Sequence, residues 1–195
     1  GSVKTGIHKE VHRLGIDANF IGGHPMAGSE KSGYPNSKAM LLENAYFVLT
    51  PTKEVSREKV DAYTTLIESL KALPIELDCE THDYVTGTIS HLPHIIASSL
   101  VNYVKQADTK DELMKLLAAG GFKDITRIAS SSPTMWQHIC LKNKDNILNI
   151  LDAYMDELKQ IASIIEDEDE QGIYQWFDSS RNYRNSIPGR SSGPI

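Results

Sequence analysis

The sequence predicts a short α/β portion followed by a mainly helical portion, and its apolar patterning carries this prediction. Up to about residue 80, short apolar runs alternate with segments of helical periodicity. Beyond residue 80, apolar residues recur at helical spacing almost throughout. The first portion is too short for a complete doubly wound sheet, so we expect the sheet to begin elsewhere in a longer chain.

The first portion has a β-α-β rhythm. Its apolar runs are bounded by glycine and proline, which is typical of strands that end in turns. The predicted elements are a helix over Val3–Leu14, a strand over Asn19–Gly23, a strand over Ala45–Thr50 closed by Pro51, a helix over Ser56–Leu73 and a strand over Pro74–Leu77.

The second portion begins with a predicted helix over Asp83–Lys105. Pro93 lies inside it and should kink it, because proline removes a backbone hydrogen bond. A shorter helix is predicted over Asp111–Ala119, and a further helix should begin at Ser132-Pro133, a serine cap followed by proline in the first turn.

A long apolar stripe marks the last predicted helix. Its spacing of four and three residues suits packing along another long helix, so we expect it in the core or in a dimer seam. The stripe consists of Ile147, Leu151, Tyr154, Leu158, Ile161 and Ile165. The polar stretch after it leads into Pro188-Gly189 and resembles a linker. We therefore expect three parts, residues 1–80, 81–180 and 181–195.

Composition excludes several classes of protein. The net charge of the 195 residues is −6, whereas nucleic-acid binders need a basic face. No apolar run approaches the length that crosses a bilayer, so we expect no membrane partner. The acidic block Glu166–Glu170 indicates a solvated helix end. Cys79 and Cys140 show no metal-binding or disulfide spacing, which predicts free thiols in a reducing cytoplasm.

The first candidate site residue is His24, which follows Gly22-Gly23 at the end of a predicted strand. Open α/β sheets bind ligands at the carboxyl ends of their strands. An imidazole titrates near neutrality and can take a proton from a hydroxyl group. Taken alone, a loop histidine bonded to backbone is the more common case.

His91 and His94 lie three residues apart on one predicted helix face. A zinc site is a weak interpretation, because the spacing and glutamate of a zinc-binding helix are absent and no third ligand is indicated. A helix that turns imidazole groups toward an anionic ligand fits better, and we expect no metal.

Lys123 and Arg127 are four residues apart, with Asp124 beside them. In a helical turn the two cations share a face, and a guanidinium can bind a carboxylate through two hydrogen bonds. A solvated surface helix is the alternative. Trp136, in the first turn after Pro133, is either a core anchor or a wall for an organic ligand.

Together and in this order, the motifs resemble those of prephenate dehydrogenases. The resemblance extends from Gly1 to Trp136, and the combination of these motifs in one chain is highly specific to the family. The matching segments are Gly1–Lys4, GGHPMAGSEKSG (Gly22–Gly33), VLTPT (Val48–Thr52), HDYVTGTISHLPH (His82–His94), GGFKDITRIA (Gly120–Ala129) and PTMW (Pro133–Trp136).

The resemblance implies a two-part enzyme, the end of a Rossmann-type NAD-binding domain followed by a helical dimerisation domain. It implies a cytoplasmic homodimer that oxidises prephenate with NAD, with NADP as an alternative cofactor and arogenate as an alternative substrate. In some relatives the C-terminal linker leads to a regulatory ACT domain. Because no phosphate-binding glycine loop lies in these residues, we expect the isolated chain to be inactive, a non-catalytic dimerisation core.

The resemblance also implies roles for single residues. His24 takes the proton of the substrate hydroxyl, and Ser2 lies beside that hydroxyl and the nicotinamide. Arg127 binds a substrate carboxylate in a pocket shaped by neighbouring side chains. The remaining candidates around the substrate are His91, His94, Lys123, Asp124, Glu30 and Trp136.

Overall fold

The computed structural model describes residues 1–28, 33–38 and 40–188. They form two compact units, residues 1–147 and residues 148 onward. The predicted fold class is confirmed, since a three-stranded sheet with its helices is followed by a mainly helical portion.

The sheet has the strand order β1-β2-β3, with β1 over Ile21–Pro25, β2 over Tyr46–Pro51 and β3 over Leu73–Glu76. β2 and β3 are parallel, but β1 runs antiparallel to β2. His24 is near the carboxyl end of its own strand, as predicted, yet it lies opposite Val48 in the middle of β2. The rule for ligand sites in parallel sheets therefore does not explain its position.

The two faces of the sheet pack against different helices. Cross-strand partners point to the same face, so Gly23 shares a face with Leu49, and this face packs with Phe47 and Ile67 in the core. Gly22 and His24 point to the opposite face, toward the helices Thr5–Arg13 and Cys79–Thr86. The candidate base is thus on the face away from the main apolar cluster.

The helices largely follow the predicted pattern, although Asp111–Ala119 contributes a shorter helix than expected. Ser132 caps its helix as predicted, with its hydroxyl accepting a hydrogen bond from the Met135 amide. In the part of the chain that the structure describes, α-helices run over Thr5–Arg13 (α1), Arg57–Ser69 (α2), Cys79–Thr86 (α3), Leu92–Ala107 (α4), Leu113–Leu117 (α5), Gly120–Thr126 (α6), Pro133–Lys142 (α7), Lys144–Glu166 (α8) and Glu170–Ser186 (α9).

The single kinked helix predicted over Asp83–Lys105 is divided into three. A π-helical segment, Gly87–His91, separates α3 from α4, and Pro93 is the second residue of α4. Proline has no amide hydrogen for the regular helical ladder, and the wider π turn accommodates that loss. His91, the last π-helical residue, is fully buried.

In the second unit, the turn from α8 to α9 contains the acidic block. Glu166 ends α8, and the Asp169 carboxylate caps α9 by accepting a hydrogen bond of 2.9 Å from the Gly172 amide. Residues 166–170 are all exposed, which confirms the predicted solvated helix end. Residues 181–186, assigned to the predicted linker, belong to α9.

Within the described ranges, none of the helices combines the length and the apolar character needed to span a membrane.

Candidate active site

His24 is paired with a second histidine that is distant in the sequence. Its Nδ1 lies 2.8 Å from Nε2 of His82, which comes from α3, and the ring centroids are 5.1 Å apart. His24 is half-buried and His82 is only 1% exposed. The pairing joins the end of β1 to α3 and orients the imidazole of His24.

The His82 ring is held in turn by Asp83. Nδ1 of His82 lies 2.8 Å from one Asp83 carboxylate oxygen. The same carboxylate accepts hydrogen bonds from the backbone amides of Lys4 (2.7 Å) and Thr5 (2.8 Å), at the amino end of α1. Burial alone would raise the pKa of Asp83, but the hydrogen bonds from His82, Thr5 and Lys4 together lower it. Asp83 is therefore a buried carboxylate anion.

His24 is neutral at physiological pH. Burial lowers its pKa, and the nearby positive charge of Lys4 lowers it further, to about 3. Lys4 is itself buried, and its ammonium group donates to the carbonyl oxygen of Gly1. Burial also lowers the pKa of Lys4. A neutral imidazole can accept a proton, as a general base must.

Asn143, which precedes α8, connects Asp83 to His91. Its side-chain nitrogen donates to the Asp83 carbonyl oxygen at 2.9 Å and lies 3.1 Å from Nδ1 of His91. The Asn146 amide donates to the Asn143 side-chain oxygen at 2.9 Å, which fixes the orientation of the Asn143 amide. Nδ1 of His91 must then accept, so the neutral ring has its hydrogen on Nε2. Burial lowers the pKa of His91 to about 4.

His94 and Trp136 form a stacked pair next to His91. Their ring centroids are 4.1 Å apart, with an angle of 30° between the planes, and the His91 ring meets Trp136 edge to face at 5.9 Å. Nδ1 of His94 donates to the Ser90 carbonyl oxygen at 2.9 Å, so this hydrogen bond does not engage Nε2. Among the described atoms, the buried Nε2 of His91 and Nε1 of Trp136 have no hydrogen-bond partner.

The predicted cation pair lies on exposed helical backbone. Lys123 and Asp124 are exposed in α6, and Arg127 is exposed at the start of a 3₁₀ segment that continues to Ser130. Both α6 and this segment pack against α4, the helix that carries His94. The four-residue spacing of the two cations is thus realised on helical backbone, as predicted.

The other two predicted site residues are near the beginning of the chain. Ser2 is half-buried, between Gly1, whose amino group lies 3.4 Å from the Gly23 carbonyl oxygen, and Lys4, whose amide binds Asp83. Ser2 is therefore held on the His24 side of the sheet. Glu30 lies outside the described residues.

Sequence reasoning did not select His82, Asp83 or Asn143. The first two lie in the motif His82–His94, and Asn143 lies outside all the matching segments. The sequence signal at this position is a set of polar residues at helical spacing that includes His82 and Thr86, both of which are buried in the structure. Polar residues on one helix face normally predict a face exposed to solvent. The pattern therefore predicts exposure for residues that are buried. No group of three or more histidine, cysteine, aspartate or glutamate side chains in the described part of the chain is arranged to hold a metal ion.

Comparisons with known proteins cover nearly the whole chain. The family model described as "Prephenate dehydrogenase, nucleotide-binding domain" matches residues 1–76, and the model described as "Prephenate dehydrogenase, dimerization domain" matches residues 78–179. The chain is 44% identical to prephenate dehydrogenase from Bacillus subtilis (strain 168), over 90% of this chain and 47% of the relative. It is 40% identical to prephenate dehydrogenase from Lactococcus lactis subsp. cremoris (strain MG1363), over 96% of this chain and 51% of the relative. It thus spans about half the length of these curated relatives.

Two solved structures share the fold. The crystal structure of prephenate dehydrogenase from A. aeolicus in complex with hydroxyphenyl propionate and NAD+ matches with a TM-score of 0.89 and 34% identity, over 96% of this chain and 65% of that one. The crystal structure of Synechocystis arogenate dehydrogenase matches with a TM-score of 0.82 and 28% identity, over 95% of this chain and 66% of that one. With both family models matched in sequence order, the chain belongs to the prephenate dehydrogenase family.

Proposed function

We propose that the full-length protein is an NAD-dependent prephenate dehydrogenase, which converts prephenate to 4-hydroxyphenylpyruvate in tyrosine biosynthesis. The observation that carries the proposal is the pairing of His24 with His82 at 2.8 Å. It engages Nδ1 of His24 and leaves Nε2 for the hydroxyl group of a substrate. Membership of the family and the identity to two relatives of that name support the proposal.

The chemistry of prephenate sets modest requirements on the protein. Prephenate is a cyclohexadiene with a hydroxyl group opposite a ring carboxylate. Removal of hydride from the hydroxyl-bearing carbon allows carbon dioxide to leave, and aromatisation makes the step strongly downhill. The protein must accept the hydroxyl proton and hold an anionic substrate in place. His24 meets the first requirement, because its imidazole is neutral and partly shielded from water.

The described residues fit the reacting end of a nicotinamide cofactor. When bound, NAD supplies the hydride acceptor, and NADP is the alternative. The amino end of α1 would otherwise suit the pyrophosphate, but the Lys4 and Thr5 amides already bind Asp83. This chain would then contribute to the nicotinamide end of the site, where His24 and Ser2 would lie beside the substrate hydroxyl group.

Substrate carboxylates would be held by the helical portion. The Arg127 guanidinium can bind a carboxylate through two hydrogen bonds, and Lys123 adds a positive charge on the same helical face. His94 presents Nε2, because its Nδ1 is bound to Ser90. The indole of Trp136 supports the His94 ring from one side. Asp124, Glu30 and His91 complete the proposed pocket.

Arogenate is the alternative substrate, since the chain also matches an arogenate dehydrogenase structure. The discriminating experiment supplies the purified full-length protein with NAD+ and either prephenate or arogenate, and follows NADH formation with release of carbon dioxide. We expect turnover of prephenate with a higher kcat/KM than of arogenate. Turnover of arogenate alone would identify arogenate, and not prephenate, as the substrate. Absence of turnover with both compounds would overturn the proposed function. NADP+ in a parallel series identifies the cofactor.

We also propose that the protein acts as a cytoplasmic homodimer, with the Ile147–Ile165 stripe in or near the subunit seam. The match of residues 78–179 to a dimerization domain supports the dimer. So does the apolar surface of α8, where Leu158 and Ile165 are 48% and 57% exposed. Unpaired Cys79 and Cys140 fit a reducing compartment. The two family matches meet at residues 76–78, which supports a domain boundary near residue 80. A C-terminal ACT domain stays a prediction.

A further inference from the structure

We infer that Asp83, acting through His82, determines which nitrogen of His24 has the hydrogen and neutralises the imidazolium that forms when His24 takes the substrate proton. The inference rests on the proposed function for its kinetic consequences, but its structural part stands without it. Asp83 and His82 are positioning residues here, because neither is the group that meets the hydroxyl.

The first step is the ionisation of Asp83. The carboxylate is 1% exposed and accepts hydrogen bonds at both oxygens, from Lys4 N at one and from Thr5 N at the other. Both amides are at the amino end of α1, where the helix dipole favours an anion. An ionised carboxylate can only accept hydrogen bonds. Nδ1 of His82, 2.8 Å from the carboxylate, must therefore donate.

The second step transfers this constraint to His24. A neutral imidazole with its hydrogen on Nδ1 has a lone pair on Nε2. Nε2 of His82 thus accepts, and Nδ1 of His24, 2.8 Å away, must donate to it. The Thr86 hydroxyl lies 3.5 Å from the same His82 nitrogen and can donate as well. His24 then has its lone pair on Nε2, the nitrogen that faces away from His82.

The third step concerns charge. When Nε2 of His24 accepts the hydroxyl proton, the ring becomes a cation beside the buried ammonium of Lys4. The new cation still donates through Nδ1 to His82, and His82 still donates to the Asp83 anion. No second proton has to move. The negative charge of Asp83 offsets the positive charge that forms on His24. Because the buried Lys4 ammonium opposes protonation of His24, loss of the Asp83 anion would make that protonation less favourable.

A purely structural role for Asp83 is the competing explanation, because its carboxylate also holds the amino end of α1. Asp83→Asn separates the two roles. The asparagine oxygen can still accept from one backbone amide. Its NH₂ group faces either the Thr5 amide, or the Lys4 amide together with His82. If the NH₂ group faces His82, His82 must accept at Nδ1 and donate from Nε2, and His24 acquires the wrong tautomer. Asp78→Asn is the matched control, since Asp78 caps α3 through the Thr81 amide at 2.8 Å and is exposed.

The direct test is nitrogen NMR of histidine-labelled full-length protein at neutral pH without substrate. We expect the hydrogen of His24 on Nδ1 in the wild type and in Asp78→Asn, and a shift toward Nε2 in Asp83→Asn. A wild-type His24 with its hydrogen on Nε2 would overturn the inference, whatever reaction the protein catalyses. This readout needs no variant to fold and no turnover.

Kinetics supply the second test. We expect Asp83→Asn and His82→Gln to lower kcat by about 10²–10⁴-fold with little change in KM, as for other groups that orient a catalytic imidazole. Asp78→Asn should retain kcat. A folded Asp83→Asn protein with the wild-type kcat would refute the catalytic part, whereas absence of turnover in the wild type would refute the proposed function and leave the NMR result standing.

Discussion

Gly22 and Thr50 lie opposite each other in β1 and β2, so close that a β-carbon on Gly22 would stand 2.2 Å from the Thr50 hydroxyl oxygen. That hydroxyl group lies 3.0 Å from Nε2 of His8 in α1. The missing side chain at Gly22 thus allows α1 to approach the strand that carries His24. Because the amino end of α1 binds Asp83, this contact helps to place the anion behind the histidine pair.

Gly22→Ala should therefore destabilise the protein. Overpacking of a close contact costs about 1–3 kcal/mol, and the neighbour here includes a hydrogen-bonded hydroxyl group. The matched control is Gly6→Ala in α1, where an added β-carbon meets nothing within 4 Å. The control should be neutral or more stable by up to about 1 kcal/mol, because alanine favours helix. Urea unfolding measures both, and equal stability of the two variants would contradict this packing.

The pH dependence of stability should report the two buried imidazoles. In the folded protein the pKa values of His24 and His91 are about 3 and about 4. Both are below the usual pKa of a histidine in an unfolded chain. Below pH 6.5 the unfolded state therefore binds more protons, and the free energy of unfolding falls as the pH is lowered. Between pH 6.5 and pH 5 we expect a loss of about 1–3 kcal/mol, after allowance for the partial exposure of His24.

Urea unfolding at pH 5, 6 and 7 checks this expectation. His91→Asn should reduce the slope without abolishing it, because His24 and His8, whose pKa burial also lowers, still contribute. Asp83 does not interfere, because its pKa is lowered and it stays ionised throughout this range. A free energy of unfolding that is constant from pH 7 to pH 5 would show that these imidazoles are accessible to protons in the folded state.

Local patterns predicted most of the elements, but not the contacts that join them. The strand at Tyr46–Pro51 and the helix start at Ser132-Pro133 follow from apolar runs and capping residues that are adjacent in the sequence. The direction of β1 and the pairing of His24 with His82, 58 residues apart, depend on how distant elements pack. Similarly, the π turn before α4 depends on a proline whose local signal predicted a kink. His24 can be named as a candidate from its motif, and its catalytic role stays a prediction, whereas its partners are recognisable only once the fold brings them together.

Arg127→Ala in the full-length protein should mainly raise KM. The substrate carboxylate is charged from the start, so its contact with Arg127 stabilises bound substrate and transition state alike until decarboxylation begins. Truncation of a charged, partly desolvated pair costs about 2–5 kcal/mol, which corresponds to well over a tenfold rise in KM. Arg57→Ala, which removes an exposed arginine that pairs with Asp61 and Glu76, should leave KM unchanged. Equal KM values for the two variants would remove Arg127 from the substrate site.

The oligomeric state tests the proposed role of α8. Leu158→Glu introduces a charge into the apolar stripe and should shift the protein from dimer to monomer, because a buried unpaired carboxylate is costly. Gln160→Glu adds the same charge at an exposed position outside the stripe and should remain dimeric. Light scattering at micromolar concentration distinguishes the outcomes. A wild-type monomer, or a Leu158→Glu dimer as stable as the wild type, would place the subunit seam elsewhere.

The most direct test of the central claim is the kcat of His24→Asn in the full-length protein. The hydroxyl proton becomes acidic only as hydride departs, so the contact with His24 strengthens in the transition state and its loss lowers kcat more than it changes KM. We expect kcat to fall by about 10²–10⁴-fold, the usual contribution of a general base. His138→Asn, at an exposed position in α7, is the matched control and should retain kcat. A folded His24→Asn protein with near-normal kcat would show that His24 takes no part in the chemistry.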